Sequence, residues 1–462
     1  MSSQARHTRF YMEYAVGNPQ DWDWFDQEWG QIQRAWEWIK NQDAPGSLLF
    51  LRIFDSFLDR RSLWAEEITW TQAGIQIAKG LGDRQQECVL LNFLGVTLAN
   101  IGQVHQSLEV LSSLLNIAQQ IQDDGLIFDA LTNIGSSLHR LGNTQQAIER
   151  YNQALEIAEK MGDDYRRSSA IGNIALAYSY LGEIRKAVEL FQQSLSLAKF
   201  VGNVRQEIII LNNLGIAYQN LGELKQAVGI FEQVVSLSRE TGRRQYEASA
   251  VGNIGLCHYR IGNMQFAIEY YTQQLQIVRE TGDRHGEGNA LRNIGLAYAG
   301  MDEHQKALSY YELSLEIASE IGDLAGQGTT YGNMGGVYRK LGDHQKALEY
   351  YIKRLEVAEQ TGDIRRQAVG FGGIGNIFLD AGDLEKALQY YQRALTITRD
   401  TGDIQAESSW AWNIGLVHEM RGEIEKAIEY CSIAVEIEEK IGHVNATRDK
   451  LHLEKLKARL SQ

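Results

Sequence analysis

Residues 323–362 read DLAGQGTTYGNMGGVYRKLGDHQKALEYYIKRLEVAEQTG, and Asp363 begins the same pattern again. The stretch reads as two helices in a hairpin. The first runs from Leu324 to about Lys340 and stops at Gly342. The second opens at Asp343, runs to about Thr361 and is closed by Gly362. Gly suits the left-handed residue just past a helix end, because it has no Cβ to clash. Asp accepts hydrogen bonds from the unpaired N–H groups of the first turn that follows. Each Gly-Asp pair therefore closes one helix and opens the next.

The unit recurs every 40 residues without a slip of register. The residue between the two helices is Gly102, Gly142, Gly182, Gly222, Gly262, Gly342, Gly382 and Gly422, with Asp302 as the exception. Five places later stands Ala147, Ala187, Ala227, Ala267, Ala307, Ala347, Ala387 or Ala427. Self-similarity at a fixed period marks a solenoid, in which each unit buries its apolar face only against its neighbours. The expected fold is all-α, a right-handed superhelix of antiparallel helix pairs.

The pattern Met334-Gly335…Tyr338…Ala347…Tyr351 resembles the tetratricopeptide repeat (TPR). The resemblance covers residues 83–442, nine units, each longer than the usual 34 residues and without the usual proline. In its length the unit is similar to those of the Pins/LGN group of adaptors and, less closely, of kinesin light chains. The resemblance implies a scaffold for protein–protein interaction that binds an extended peptide or protein segment in its concave groove.

Composition narrows the function further. The net charge is −14, whereas nucleic-acid binding calls for a basic stripe. No run of eighteen apolar residues is present to span a membrane, and MSSQARHTRF lacks the apolar core of a signal peptide. Cys88, Cys257 and Cys431 are odd in number and far apart, which fits a reducing cytoplasm.

Both ends depart from the repeat. Residues 1–42 are rich in Trp, and seven of the nine tryptophans precede residue 71: Trp22, Trp24, Trp29, Trp36, Trp38, Trp64 and Trp70. They fit a capping helix over the first apolar face of the array, or an aromatic docking surface for a partner. The stretch Glu28-Trp29…Ala35-Trp36-Glu37-Trp38 resembles the segment preceding TPR sensor arrays in bacterial STAND regulators. That resemblance implies a sensor or regulatory subunit acting on a separately encoded effector. No G-x-x-x-x-G-K-[ST] loop accompanies it, so the ATPase activity of those regulators does not carry over. Residues 43–82 read as a degenerate hairpin. Residues 443–462 read as a C-terminal capping helix with Leu451, Leu453, Leu456 and Leu460 among charged residues.

Within each unit, the residues equivalent to Thr329, Asn333, Gly336 and Lys340 share the face of the first helix away from its partner. That face carries Asn133, Asn173, Asn213, Asn253, Asn293, Asn333 and Asn413, with Gly373 as the gap. Asn is a mediocre helix former, so helix stability does not explain the choice. Its amide both donates and accepts, which suits pairing with a peptide backbone. The resemblance to the adaptors also implies that these residues contact a peptide. Alternatively, each bonds a neighbouring helix and fixes the stacking. Arg140, Arg260, Arg292, Arg339 and Lys340 make the face basic and would favour an acidic ligand, unless they pair with Glu on adjacent helices. Gly332, Gly336, Gly372 and Gly373 remove side chains from it, either to admit a ligand or to let helices approach.

Other motifs fall away. Gly370-Phe371-Gly372-Gly373-Ile374-Gly375 fits G-x-G-x-x-G but lacks a preceding strand. His304 and His344 stand alone in separate turns, and no nucleophile, carboxylate pair or metal-ligand spacing breaks the repeat. The sequence therefore points to a non-enzymatic protein without metal or cofactor.

Overall fold

The computed structural model describes residues 2–19, 21–61, 63–441 and 445–460. The described residues form 23 helices and no strand. Contacts gather into two compact units, Met1–Ile230 and Phe231–Gln462.

The first unit begins with α1 (Ser3–Gly17), α2 (Trp22–Gln42), α3 (Ala44–Arg60) and α4 (Trp64–Leu81). Hairpins follow: α5 (Arg84–Asn100) with α6 (Val104–Ile121), α7 (Asp124–Arg140) with α8 (Thr144–Met161), and α9 (Asp164–Tyr180) with α10 (Ile184–Val201). Helix α11 (Val204–Asn220) leads to α12 (Leu224–Glu240), and the boundary between the units falls inside the residue range of α12. The second unit continues with α13 (Arg244–Ile261), α14 (Met264–Thr281), α15 (Arg284–Gly300), α16 (His304–Glu320), α17 (Leu324–Lys340) and α18 (His344–Gln360). It ends with α19 (Ile364–Asp380), α20 (Leu384–Asp400), α21 (Ile404–Met420), α22 (Ile424–Ile441) and α23 (Ala446–Leu460). The sequence pattern leads to 22 helices; the additional one is α1. It has only three buried residues, Thr8, Tyr11 and Ala15. A helix with so narrow an apolar stripe depends on tertiary contacts. Here these include the Tyr11 hydroxyl on Glu28 at 2.7 Å and Tyr14 stacked on Trp24 at 3.9 Å.

The turns follow the expected chemistry. Every Gly between the helices of a pair has positive φ, from Gly102 to Gly422. The two non-Gly residues that share this conformation are Gln122 (φ 54°) and Asp302 (φ 58°), which occupy the positions where the Gly pattern lapses. Asp83, Asp123, Asp163, Asp283, Asp323, Asp363 and Asp403 each cap a first helix by accepting a hydrogen bond from the backbone N–H three residues on. Gly442, expected to close the last unit, lies outside the described residues.

Inside a hairpin the two helices touch where a side chain is missing. A Cβ on Gly295 would stand 2.7 Å from the Tyr311 ring, and Gly135, Gly255, Gly335 and Gly375 meet Tyr151, Tyr271, Tyr351 and Tyr391 in the same way. The small residues Ala147, Ala187, Ala267, Ala307, Ala347, Ala387 and Ala427 are fully buried beside them. Next to this contact lies an aromatic pair, Tyr298 on Tyr310 at 5.5 Å and Tyr338 on Tyr350 at 5.4 Å, with Lys306 and Lys346 over the rings. Between hairpins the tie is ionic. Glu287, almost fully buried, receives Arg279 Nε at 2.7 Å from the preceding helix and Arg284 Nη1 at 2.5 Å from its own. Glu247 is held in the same way by Arg239 and Arg244.

At the N-terminal end Trp36 and Trp70 are buried and stack at 5.1 Å, and Trp29 stacks on Trp70 at 5.5 Å. Trp22, Trp24, Trp29 and Trp38 are half-buried against the same core as Phe50 and Phe54. In α23, Leu453 and Leu456 bury against Ala427, Cys431 and Val435. Leu451 and Leu460, on the other side of that helix, are exposed.

Two predictions test these contacts. Gln122→Gly removes a left-handed side chain that costs about 1–2 kcal/mol, offset by roughly 0.5–1 kcal/mol of chain entropy. The variant should melt slightly above the parent, and a lower melting temperature would contradict the assignment. For Glu287, burial pushes its pKa up, but the hydrogen bonds and charges of Arg279 and Arg284 outweigh it and hold the carboxyl below its usual range. A depressed carboxylate stabilises the fold above its unfolded pKa and loses that contribution as pH falls through the folded one. Glu287→Gln should therefore be less stable than the parent at pH 7, and acidification to pH 3 in chemical denaturation should narrow the gap. A gap independent of pH would contradict the linkage.

Candidate binding clefts on the first helices

The seven asparagines all occupy equivalent positions on first helices, and all are half-buried. They are neither sealed nor free-standing. In the first unit, Asn173 of α9 and Asn213 of α11 line one cleft of about 340 Å3. Ser169, Tyr165, Arg205 and Gln206 border it, with Phe191 and Ile210 as apolar surface. The Gln206 side-chain N–H reaches the Tyr165 carbonyl at 3.4 Å, while its own carbonyl oxygen is buried without a hydrogen-bond partner. This cleft thus combines two half-buried amides with a third whose acceptor is unsatisfied.

Asn133 behaves differently. Its Nδ2 donates to Asn92 Oδ1 on the first helix of the preceding hairpin at 2.8 Å. Here the amide ties one unit to the next. Asn253, Asn293 and Asn413 border neither cleft described here.

In the second unit a cleft of about 260 Å3 gathers Asn333, Arg339 and Lys340 of α17 with Tyr259 of α13 and Tyr311 of α16. Gly300, Gly332 and Gly336 contribute bare backbone to its wall. The cations are engaged, though with Asp and amide partners instead of the expected Glu. Arg339 pairs with Asp380 at 2.8 Å and Lys340 with Asp302 at 3.4 Å. Arg292 donates to Asn289 at 2.6 Å, and burial pushes its pKa down. Arg260 is exposed on α13. Arg140 belongs to the first unit, where it donates to the Ala99 carbonyl at 2.9 Å and to Asn100 at 3.1 Å.

The four glycines divide. Arg354 of α18 fills the space a Cβ on Gly332 would need, Trp410 that of Gly372, and Tyr351 that of Gly373. At those three positions the missing side chain serves close packing. Gly336 alone of the four stays open, its nearest neighbour the Tyr351 hydroxyl, 3.8 Å from where a Cβ would stand. Arg354 is the residue the sequence reading passed over. Its signal was a large residue at a position held by Ser194, Ser314 and Ala394, facing a glycine where Arg292 stands one unit earlier.

The remaining motifs settle into structure. Residues 370–375 lie within α19. Cys88, Cys257 and Cys431 are buried free thiols, and burial pushes Cys88 up to about 11 and Cys431 to about 12. No group of His, Cys, Asp and Glu among the described residues is arranged to hold a metal. No described helix is long and apolar enough to cross a membrane.

Comparison with known proteins places this geometry. A tetratricopeptide repeat model matches residues 85–160, 126–199, 166–240, 246–320 and 326–400, and a second such model matches 374–440. No curated protein matches the chain. Among solved structures, the apo form of RapI is similar with a TM-score of 0.55 at 15% identity, covering 74% of this chain and 97% of its own. The apo form of the quorum sensor NprR from B. thuringiensis gives 0.53 at 14%, covering 75% and 99%. A Rap protein complexed with Competence and Sporulation Factor gives 0.51 at 16%, covering 78% and 99%. At such identities the likeness is one of fold. The family models, however, span well over half of the sequence, and the chain belongs to the tetratricopeptide repeat family.

Proposed function

We propose that the protein is a non-enzymatic interaction module that holds an extended peptide or protein segment against its first helices. The observation that carries this reading is the first-unit cleft, where Asn173, Asn213 and the unsatisfied Gln206 carbonyl meet. An extended chain offers alternating N–H and C=O groups, and amides answer both without reading side chains. The resemblance to Pins/LGN-type adaptors points the same way. So does the Rap protein of similar fold that was solved with Competence and Sporulation Factor.

On this reading the ladder has two duties. Asn133, bonded to Asn92, fixes stacking, whereas Asn173, Asn213 and Asn333 face clefts. Arg260, Arg292, Arg339 and Lys340 favour acidic segments over basic ones. Residues 1–42 act as a cap, because none of the seven tryptophans before residue 71 is exposed. The setting is cytoplasmic, in keeping with three unpaired thiols.

The test is a peptide-display selection against the full chain, followed by calorimetric titration of the selected sequences. Asn173→Ala with Asn213→Ala should weaken binding by roughly 1–3 kcal/mol, the cost of unpairing buried polar groups, with the melting temperature unchanged. Asn133→Ala should instead lower stability by roughly 0.5–1.5 kcal/mol and leave affinity intact. Equal affinities in the parent and the double variant would overturn the reading.

A further inference from the structure

Arg354 is unusual among the cations of the second unit. It rises from a second helix and occupies the gap at Gly332, on the wall of the Asn333 cleft. It makes no hydrogen bond or ion pair with the described residues, and its Nε is buried without a partner. Arg339, Lys340 and Arg366 each have an aspartate within reach. A guanidinium carries five donors in a planar fork, and withdrawing them from water without a counter-charge is costly. Its neighbours relieve that cost only in part: burial and Arg366 oppose the charged form, while Tyr351 and Asp363 favour it. Arg366 of α19 is close enough to raise the local positive potential at both Arg354 and Arg292. The acids facing the group, Asp363 and Asp323, are already used as helix caps. Burial pushes the pKa of both Arg354 and Arg292 down, and Asp363 and Asp323 act in the other direction without reversing it. All this stands in a chain of net charge −14.

We infer that Arg354, with Arg292 and Arg366, forms an anion subsite that takes the side-chain carboxylates of an acidic segment lying along α17. The inference rests on the groove reading above and adds to it the residue that selects for acid. Arg339 and Lys340 already have aspartate partners, so a ligand carboxylate must compete for them. At Arg354 the carboxylate meets donors with no such competitor, and the fork geometry accepts it through two parallel bonds. The glycine at 332 has its role here: any side chain there would meet the guanidinium.

The test uses the full chain and fluorescence anisotropy. The probe is a fluorescein-labelled hexaglutamate peptide amidated at its C-terminus, so that only side chains supply carboxylates, with hexaglutamine as its neutral counterpart. The parent should bind hexaglutamate saturably and at least about tenfold more tightly than hexaglutamine, and Arg354→Gln should lose about that factor. Arg354→Gln should fold, because Gly252 already faces Gln274 in the equivalent contact two hairpins earlier. If it does not, Arg366→Gln, on a more exposed side chain, should show a several-fold loss. Arg185→Gln, exposed on α10, should change nothing. A parent without preference for hexaglutamate, or variants at Arg354 and Arg366 that bind it as the parent does, would overturn the subsite. Neither result touches the groove reading, which is decided at Asn173 and Asn213 in the first unit.

Discussion

The left-handed residue that ends each helix is the constraint on which the rest depends. From Gly82 onward a positive φ recurs at intervals of about 20 residues, and the helices between are 17 or 18 residues long. With helix length fixed, every first helix leaves its turn in the same rotational phase. One extra residue would turn the following side chains by about 100° and carry the asparagines from the clefts into the seam. The glycine–tyrosine contacts then hold the phase. Where Gly295 meets Tyr311, no Cβ fits, so the two helices have one depth of approach. Gln122 and Asp302 adopt the same turn without glycine, which shows that the hairpin geometry overrides a local cost of about 1–2 kcal/mol.

What repeats was legible in the sequence, and what interrupts the repeat was less so. The hairpin of residues 323–362, its caps at Asp323 and Asp363 and the buried Ala347 all follow from period and residue chemistry. The asparagine face follows from the same period, because position on a helix is a matter of angle. Helix α1 was missed because its buried stripe is three residues wide and its support lies in Glu28 and Trp24. The buried Glu287 was missed for another reason. Its meaning depends on Arg279, eight residues back across a turn, and a single-helix pattern cannot show that contact. Gly332 and Gly372 read equally well as ligand gaps or as packing gaps. Only the positions of Arg354 and Trp410 separate the two.

The asparagines illustrate how one residue type serves two ends. At Asn133 the amide finds Asn92, itself polar, and the bond spans adjacent hairpins. At Asn213 the residue equivalent to Asn92, 41 positions earlier, is Gly172, which has no side chain to bond. The same amide is then left facing a cleft. Between these two asparagines, the difference follows the residue 41 positions earlier, an amide in one case and a glycine in the other. A sequence period alone cannot carry that distinction, because it reports the asparagine and averages over the neighbour.

Charge on the inner positions obeys the same logic of partners. The pairs Arg339–Asp380 and Lys340–Asp302 each have both members at least one-third exposed. Such pairs contribute roughly 0–1 kcal/mol, because water screens them and ordering two side chains costs entropy. They are accordingly cheap to exchange: a ligand carboxylate that displaces Asp380 loses little and gains little. Arg354 is the opposite case. With no anion to give up and an Nε already withdrawn from solvent, the gain from a carboxylate there is not offset by a broken pair. On the proposed reading, selectivity for acid would therefore concentrate where the protein left a cation unmatched, and not where cations are most numerous.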